Sequence, residues 1–226
     1  MNDPFIECKS LTKQYKGRNQ VIDAVKDISL GIEENSFVLI KGRSGAGKST
    51  LLHLIGGLIR PTSGSVRIGN DIINELDNRS LSAILASKTG IIFQSFNLLP
   101  TYDLYENVEI ALAPAGLTDN EMKRIILPCF EQFGMSDKLY SMPGELSVGQ
   151  QQKVAIIRTL VKQPSIILAD EPTGSVDSIT AGEIFEHFRF LKNEKKVTII
   201  MTTHGIVPET LADRIIIMED GIMRNV

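Results

Sequence analysis

The stretch GRSGAGKST, from Gly42 to Thr50, directly follows the apolar run Phe37-Val-Leu-Ile40. It opens an amphipathic run carrying Leu51, Leu52, Leu54, Ile55 and Leu58. Through Ser49 it fits the spacing G-x-x-x-x-G-K-[S/T], which needs a strand before it and a helix after it. Gly42, Gly45 and Gly47 let the backbone turn tightly and come close to a polyanion. Successive N–H groups then point into one concavity, and a helix beginning near Lys48 adds its positive end. Lys48 brings a full charge to the outer phosphates of a nucleotide, and Ser49 offers a hydroxyl to Mg²⁺. A plain glycine-rich turn would not need Lys-Ser at that point. Arg43, Ser44, Ala46 and Thr50 complete the expected phosphate-binding loop.

Two further apolar runs, Ser165-Ile-Ile-Leu-Ala169 and Val197-Thr-Ile-Ile-Met201, read as buried strands. Between them, Ile184, Phe185, Phe188 and Leu191 fall on one helical face. Strand-then-helix alternation predicts an α/β core with a largely parallel sheet. The first 35 residues and the segment Gly64 to Ile73 alternate more and are broken by turns, which predicts a small antiparallel β layer. From about Leu104 to Leu160 the pattern is mostly helical, interrupted at Pro114-Ala-Gly116 and Ser141-Met-Pro-Gly144. The expected division is a core over 36–95 and 160–226, an antiparallel layer over 1–35 and 60–75, and a helical insertion over 96–159.

The run Ile166-Ile-Leu-Ala-Asp170-Glu171 ends a buried strand in two acids, a costly arrangement without a cation. Mg²⁺ with a nucleotide is the natural reason. Neighbours on a strand point to opposite faces, so the two acids share a task only if the strand has ended. Asp170 is assigned to the Mg²⁺ shell and Glu171 to the attacking water as general base. His204 follows the third strand at its carboxyl end, where ligands of open α/β sheets sit. From there an imidazole can hydrogen-bond a γ-phosphate. His53 and His187 are expected to be structural or surface residues. Gln94 also ends an apolar run and can reach Mg²⁺ or the water.

Bulk properties exclude little but point one way. The chain has 226 residues, 42% of them hydrophobic and 23% charged, as an ordinary globular chain does. A net charge of −3 argues against nucleic-acid binding by bulk charge. Cys8 and Cys129 are isolated and read as reduced cytosolic thiols. The amino-terminal MNDPFIECKS lacks the pattern of a signal peptide. No apolar run approaches the roughly 20 residues that span a bilayer. Work at a membrane would need a partner to hold the chain there.

Taken in order, GRSGAGKST, Gln94, LSVGQ, ILADE, Ser175-Val-Asp177 and His204 resemble the ATP-binding subunit of ABC transporters, over essentially the whole chain. The stretches FQSFNLLP from Phe93, Glu106-Asn-Val108 and ADEPTG from Ala169 look most like the branch containing MacB, LolD, FtsE and antimicrobial-peptide resistance ATPases. The resemblance implies a P-loop NTPase (RecA-like) core and ATP and Mg²⁺ as ligands. It also implies a homodimer that sandwiches two ATP, and an integral membrane permease that holds the subunit at the inner face of the cell membrane. It places Tyr15 where an aromatic residue stacks on adenine, and raises His204 to the switch histidine. Gln94 falls in the segment that senses Mg²⁺ and touches the membrane partner.

The same resemblance gives Ser147, Gly149, Gln150 and Asp177 contacts to the ATP held by the opposite subunit. Ser147 would donate a hydroxyl to the γ-phosphate, and Gly149 would allow close backbone approach. Val148 stands where a glycine usually stands. A β-branched residue disfavours φ > 0, so the fit requires that only Gly149 adopt an unusual backbone. A soluble ABC-type ATPase acting on ribosomes or DNA is the rival, and such proteins usually carry two cassettes or a long coiled coil. A P-loop kinase or GTPase would leave LSVGQ and His204 unexplained.

Overall fold

The computed structural model describes residues 3–17, 20–205 and 207–225, so Met1 and Asn2 of the amino-terminal stretch lie outside it. In chain order the elements are β1 (Ile6–Lys16), β2 (Val21–Ile32), β3 (Phe37–Lys41), α1 (Lys48–Ile55), β4 (Ser63–Ile68) and β5 (Asp71–Ile72). There follow α2 (Asn78–Lys88), β6 (Thr89–Ile92), α3 (Leu104–Glu109), α4 (Asp119–Gln132) and α5 (Val148–Leu160). The chain then forms β7 (Ile166–Asp170), α6 (Ser178–Lys195), β8 (Thr198–Thr203), β9 (Arg214–Glu219) and β10 (Ile222–Asn225).

Six strands form one sheet in the order β10-β9-β3-β8-β7-β6, and four form a second in the order β2-β1-β4-β5. The six-stranded sheet is parallel except for β10, which returns antiparallel beside β9. The four-stranded sheet is antiparallel throughout.

The continuous apolar runs of β3, β7 and β8 have a direct cause. Side chains alternate between faces, and each face of the sheet is covered. Phe37, Leu39, Ile167, Ala169, Ile199 and Met201 pack into a core with α3, α4, α5 and α6. Val38, Ile40, Ile166, Leu168 and Ile200 face the other way, into a core with α1 and the antiparallel sheet. Phe188 of α6 meets Phe37 edge-on, ring centroids 6.4 Å apart at 85°.

Register brings the carboxyl ends of these strands to one edge. Lys41 pairs with Thr203, Asp170 with Thr202, and Ile92 with Ala169. The loops leaving β3, β6, β7 and β8 therefore emerge side by side. One element was not legible in the sequence. Helix α2 has no fully buried residue and hence a weak apolar stripe, although Asp77 caps it by accepting from the Ser80 N–H.

Candidate functional site

The loop after β3 is shaped by its contacts with backbone. Gly45 and Gly47 hold φ of +79° and +97°, and Gly47 is the residue before α1. A Cβ on Gly47 would stand 2.1 Å from the Ala24 carbonyl oxygen, and one on Gly42 would stand 2.4 Å from that of Met218. Strands β2 and β9 thus wall the loop, and Gly221 N–H donates to the Ala46 carbonyl across the same seam.

The loop opens onto a cavity of about 670 Å³. Ser44, Gly45, Gly47, Lys48, Ser49 and Thr50 line it, together with Gln94, Glu171 and His204. Val21 to Ala24, Lys26 and Asp220 complete the lining. Sequence reasoning missed this part because Val21 to Ala24 and Lys26 lie on β2 of the other sheet, Asp220 lies in the turn between β9 and β10, and none of them carries a motif. Gly42 and Arg43 instead face a smaller recess with Thr203 and His204, and Ala46 is buried. Tyr15 does not line the cavity. It is 44% exposed and lies cross-strand from Ile22, which does line it.

Lys48 is buried at 4% exposure. Its Nζ donates to the carbonyls of Gly42 at 3.0 Å and Arg43 at 3.2 Å, and it pairs with Glu171 Oε1 at 3.3 Å. Asp170 is the last residue of β7. Its Oδ1 accepts from Ser49 Oγ at 2.9 Å and Thr202 Oγ1 at 2.6 Å. Glu171 has left the strand, with φ of +47°, a left-handed backbone uncommon outside glycine. Its N–H is held by the Thr202 carbonyl and hydroxyl, and its carbonyl accepts from Gly174 N–H. That turn brings both acids to the same loop, and Glu171 Oε2 lies 2.6 Å from His204 Nδ1.

Gln94 lines a second cavity too, shared with Phe96, Asn97 and Leu98 and with Val148, Gln151 and Ser175. The loop between is pinned from behind. Arg158 donates to the Phe96 and Asn97 carbonyls, and buried Asn107 brackets Leu99, Tyr102 and Asp103.

The segment ELSVGQQQ begins α5. Ser147 is its N-cap, and a reciprocal box joins Ser147 to Gln150: Ser147 Oγ accepts from Gln150 N–H, and Gln150 Oε1 accepts from Ser147 N–H. Neither Ser147 nor Gln150 nor Gly149 lines the cavity around Lys48. Val148 is the first residue of α5, and neither it nor Gly149 is among the positive-φ residues, so the valine is accommodated and neither position needs an unusual backbone. Gly149 is small because α6 is close. A Cβ there would stand 2.9 Å from Thr180 Cγ2 and 3.0 Å from Thr180 Oγ1. Gly149→Ala is expected to destabilise the fold by about 1–3 kcal/mol. Thermal unfolding of the free chain should show it as a fall of about 2–4 °C per kcal/mol.

Thr180 also connects to Asp177, the N-cap of α6. Asp177 accepts from the N–H groups of Ile179 and Thr180 and from the Thr180 hydroxyl. The Thr180 backbone bond, with its hydroxyl next, holds the Asp177 carboxyl below its usual range.

Comparison with known proteins agrees with this geometry. The profile of the ABC transporter family matches residues 25–174. An ABC transporter ATP-binding protein of Methanocaldococcus jannaschii, MJ0796, is 41% identical over 221 residues, covering 96% of this chain and 94% of its own length. Its dimeric structure in a post-hydrolysis state bound to ADP and Pi aligns with a TM-score of 0.91 at 38% identity, covering 97% of this chain and 98% of that one. The lipoprotein-releasing system ATP-binding protein LolD of Geobacter metallireducens is 37% identical, covering 96% of both chains. The macrolide export ATP-binding/permease protein MacB of Hyphomonas neptunium is 39% identical over 98% of this chain and 34% of its own length.

Proposed function

The chain belongs to the ABC transporter family, and on that premise we propose how its residues divide the work of the family's ATP-binding subunit. The subunit binds and hydrolyses ATP to drive transport. The observation that carries the division of labour is the convergence of Lys48, Ser49, Asp170, Glu171 and His204 at one strand edge.

The N–H groups of Gly45 to Ser49 and the Lys48 ammonium receive the phosphates. Lys48 is held by two carbonyls and Glu171. An arriving phosphate takes over the cation and releases Glu171 to face the attacking water. Glu171 accepts the proton from that water, and His204 holds the carboxylate in place while reaching toward the γ-phosphate. The site suits magnesium. Ser49 Oγ, Asp170 and Gln94 are hard oxygen donors, and among the described residues no cluster of three or more His, Cys, Asp or Glu could hold a metal unaided. An ion that takes its remaining ligands from phosphate and water fits such a set. When bound, magnesium neutralises charge on the outer phosphates.

Two copies close on two nucleotides, with Ser147 of each facing the nucleotide of the other. The dimer of MJ0796 with ADP and Pi supports this reading. So does the Ser147 hydroxyl: its oxygen accepts in the capping box, and among the described residues it donates to no acceptor. Val148, 45% exposed, lies on the same exposed helix start. Tyr15 stacks on adenine from beside the Ile22 wall. No described helix is long and apolar enough to cross a membrane. The name of the MacB relative joins an ATP-binding segment to a permease, which supports a position for this chain against the inner membrane face through a permease partner.

Ser147→Asp tests the shared site. Aspartate caps a helix as well as serine does, so the fold should be unaffected. Its charge opposes a γ-phosphate. The expected result is unchanged ATP binding by the monomer and no ATP-dependent dimer in analytical ultracentrifugation. A variant that still dimerises on ATP would exclude Ser147 from the shared contact.

A further inference from the structure

The Asp170 carboxylate is held on one side only. Both recorded hydrogen bonds, from Ser49 and Thr202, reach Oδ1. Among the described residues no hydrogen bond reaches Oδ2. Facing Oδ2 at 3.8 Å is His53 Nε2. That nitrogen is itself buried and has no hydrogen-bond partner. A buried polar atom without a partner is costly, and one standing beside a free carboxylate oxygen calls for an account.

Helix geometry explains why they meet. His53 is four residues beyond Ser49 on α1, so the two side chains share a face one turn apart. Ser49 takes one oxygen of Asp170, and His53 is aimed at the other. The Phe93 ring neighbours the imidazole, its centroid 6.3 Å away and its plane tilted by 58°. A shift of roughly 1 Å would convert the 3.8 Å approach into a hydrogen bond.

We propose that His53 is a positioning residue for Asp170. Its Nε2–H donates to Oδ2 and fixes the carboxylate plane, so that Asp170 would keep its orientation if Ser49 turned its oxygen to hold magnesium. This rests on the reading of Asp170 as the carboxylate that faces magnesium. It assigns a task to a histidine that the sequence marked as structural or surface.

The test uses the full chain carrying Glu171→Gln, which prevents turnover, and titrates ATP calorimetrically in Mg²⁺ and in EDTA. His53→Phe keeps a ring against Phe93 and removes the donor. It should lower the Mg²⁺ enhancement of ATP affinity by about tenfold, the usual effect of losing an outer-sphere partner. ATP affinity in EDTA should not change. His53→Gln carries an amide nitrogen at the reach of Nε2 and should restore the enhancement to within about twofold. With Glu171 intact, the Mg²⁺ concentration for half-maximal ATPase rises in His53→Phe by the same factor, and kcat at saturating Mg²⁺ holds.

Three outcomes would overturn the proposal. One is full Mg²⁺ enhancement in His53→Phe. Another is a loss equal in Mg²⁺ and EDTA, which marks a purely structural role. The third is a His53→Gln variant no better than His53→Phe. If the parent chain shows no Mg²⁺ enhancement at all, the magnesium reading of Asp170 fails first and this proposal falls with it.

Discussion

Glu171→Gln is expected to lower ATP turnover by about 10²–10⁴-fold, the range for a general base, without weakening ATP binding. The substitution changes charge and basicity but not size, so the left-handed backbone at this position and its bonds to Thr202 are retained. It also removes the negative partner that pairs with Lys48. Lys48 is then free for phosphate, so affinity should hold or rise. With hydrolysis blocked, the closed dimer should accumulate with ATP and be absent with ADP. Turnover at the parent rate would remove Glu171 from the chemistry.

Lys48→Ala is expected to reduce ATP affinity by at least about 10²-fold, or about 2.8 kcal/mol, measured by calorimetry. The loss of a buried cation is felt three ways. The phosphates lose a full charge where little water can replace it. The Gly42 and Arg43 carbonyls lose the donor that holds the loop closed. Glu171 loses its cation and repels the incoming nucleotide. An unchanged affinity would contradict the phosphate-loop reading, and an intermediate one would mean that the loop N–H groups dominate.

The parallel core was legible because both faces of β3, β7 and β8 are covered. Such strands are written as unbroken apolar runs. The antiparallel sheet was legible from its turns. Helix α2 was not, because it buries no full residue and so writes no stripe. The phosphate loop was legible because a fixed spacing encodes it. The rest of the cavity lining, Val21 to Ala24 on β2 and Asp220 in the β9–β10 turn, was not, since nothing local marks either segment as the neighbour of a loop elsewhere in the chain. The pairing rule for strands left open whether Asp170 and Glu171 could cooperate. The answer is a backbone turn at Glu171 that no propensity would suggest for that residue. His53 could have been found. Its spacing of four from Ser49 on a helix was in the sequence, but the partner that gives the spacing meaning is on β7.

The walls around Gly42, Gly47 and Gly149 differ in kind, and this bears on how damage at each can be repaired. At Gly42 and Gly47 the obstruction is a carbonyl oxygen of the main chain, from Met218 and Ala24. Every residue at 218 or 24 presents that oxygen, so a selection for second-site suppressors has no side chain to trim. At Gly149 the obstruction is the Thr180 side chain. Thr180→Ser removes the nearer methyl while keeping the hydroxyl that bonds Asp177, and it is where revertants of Gly149→Ala should collect.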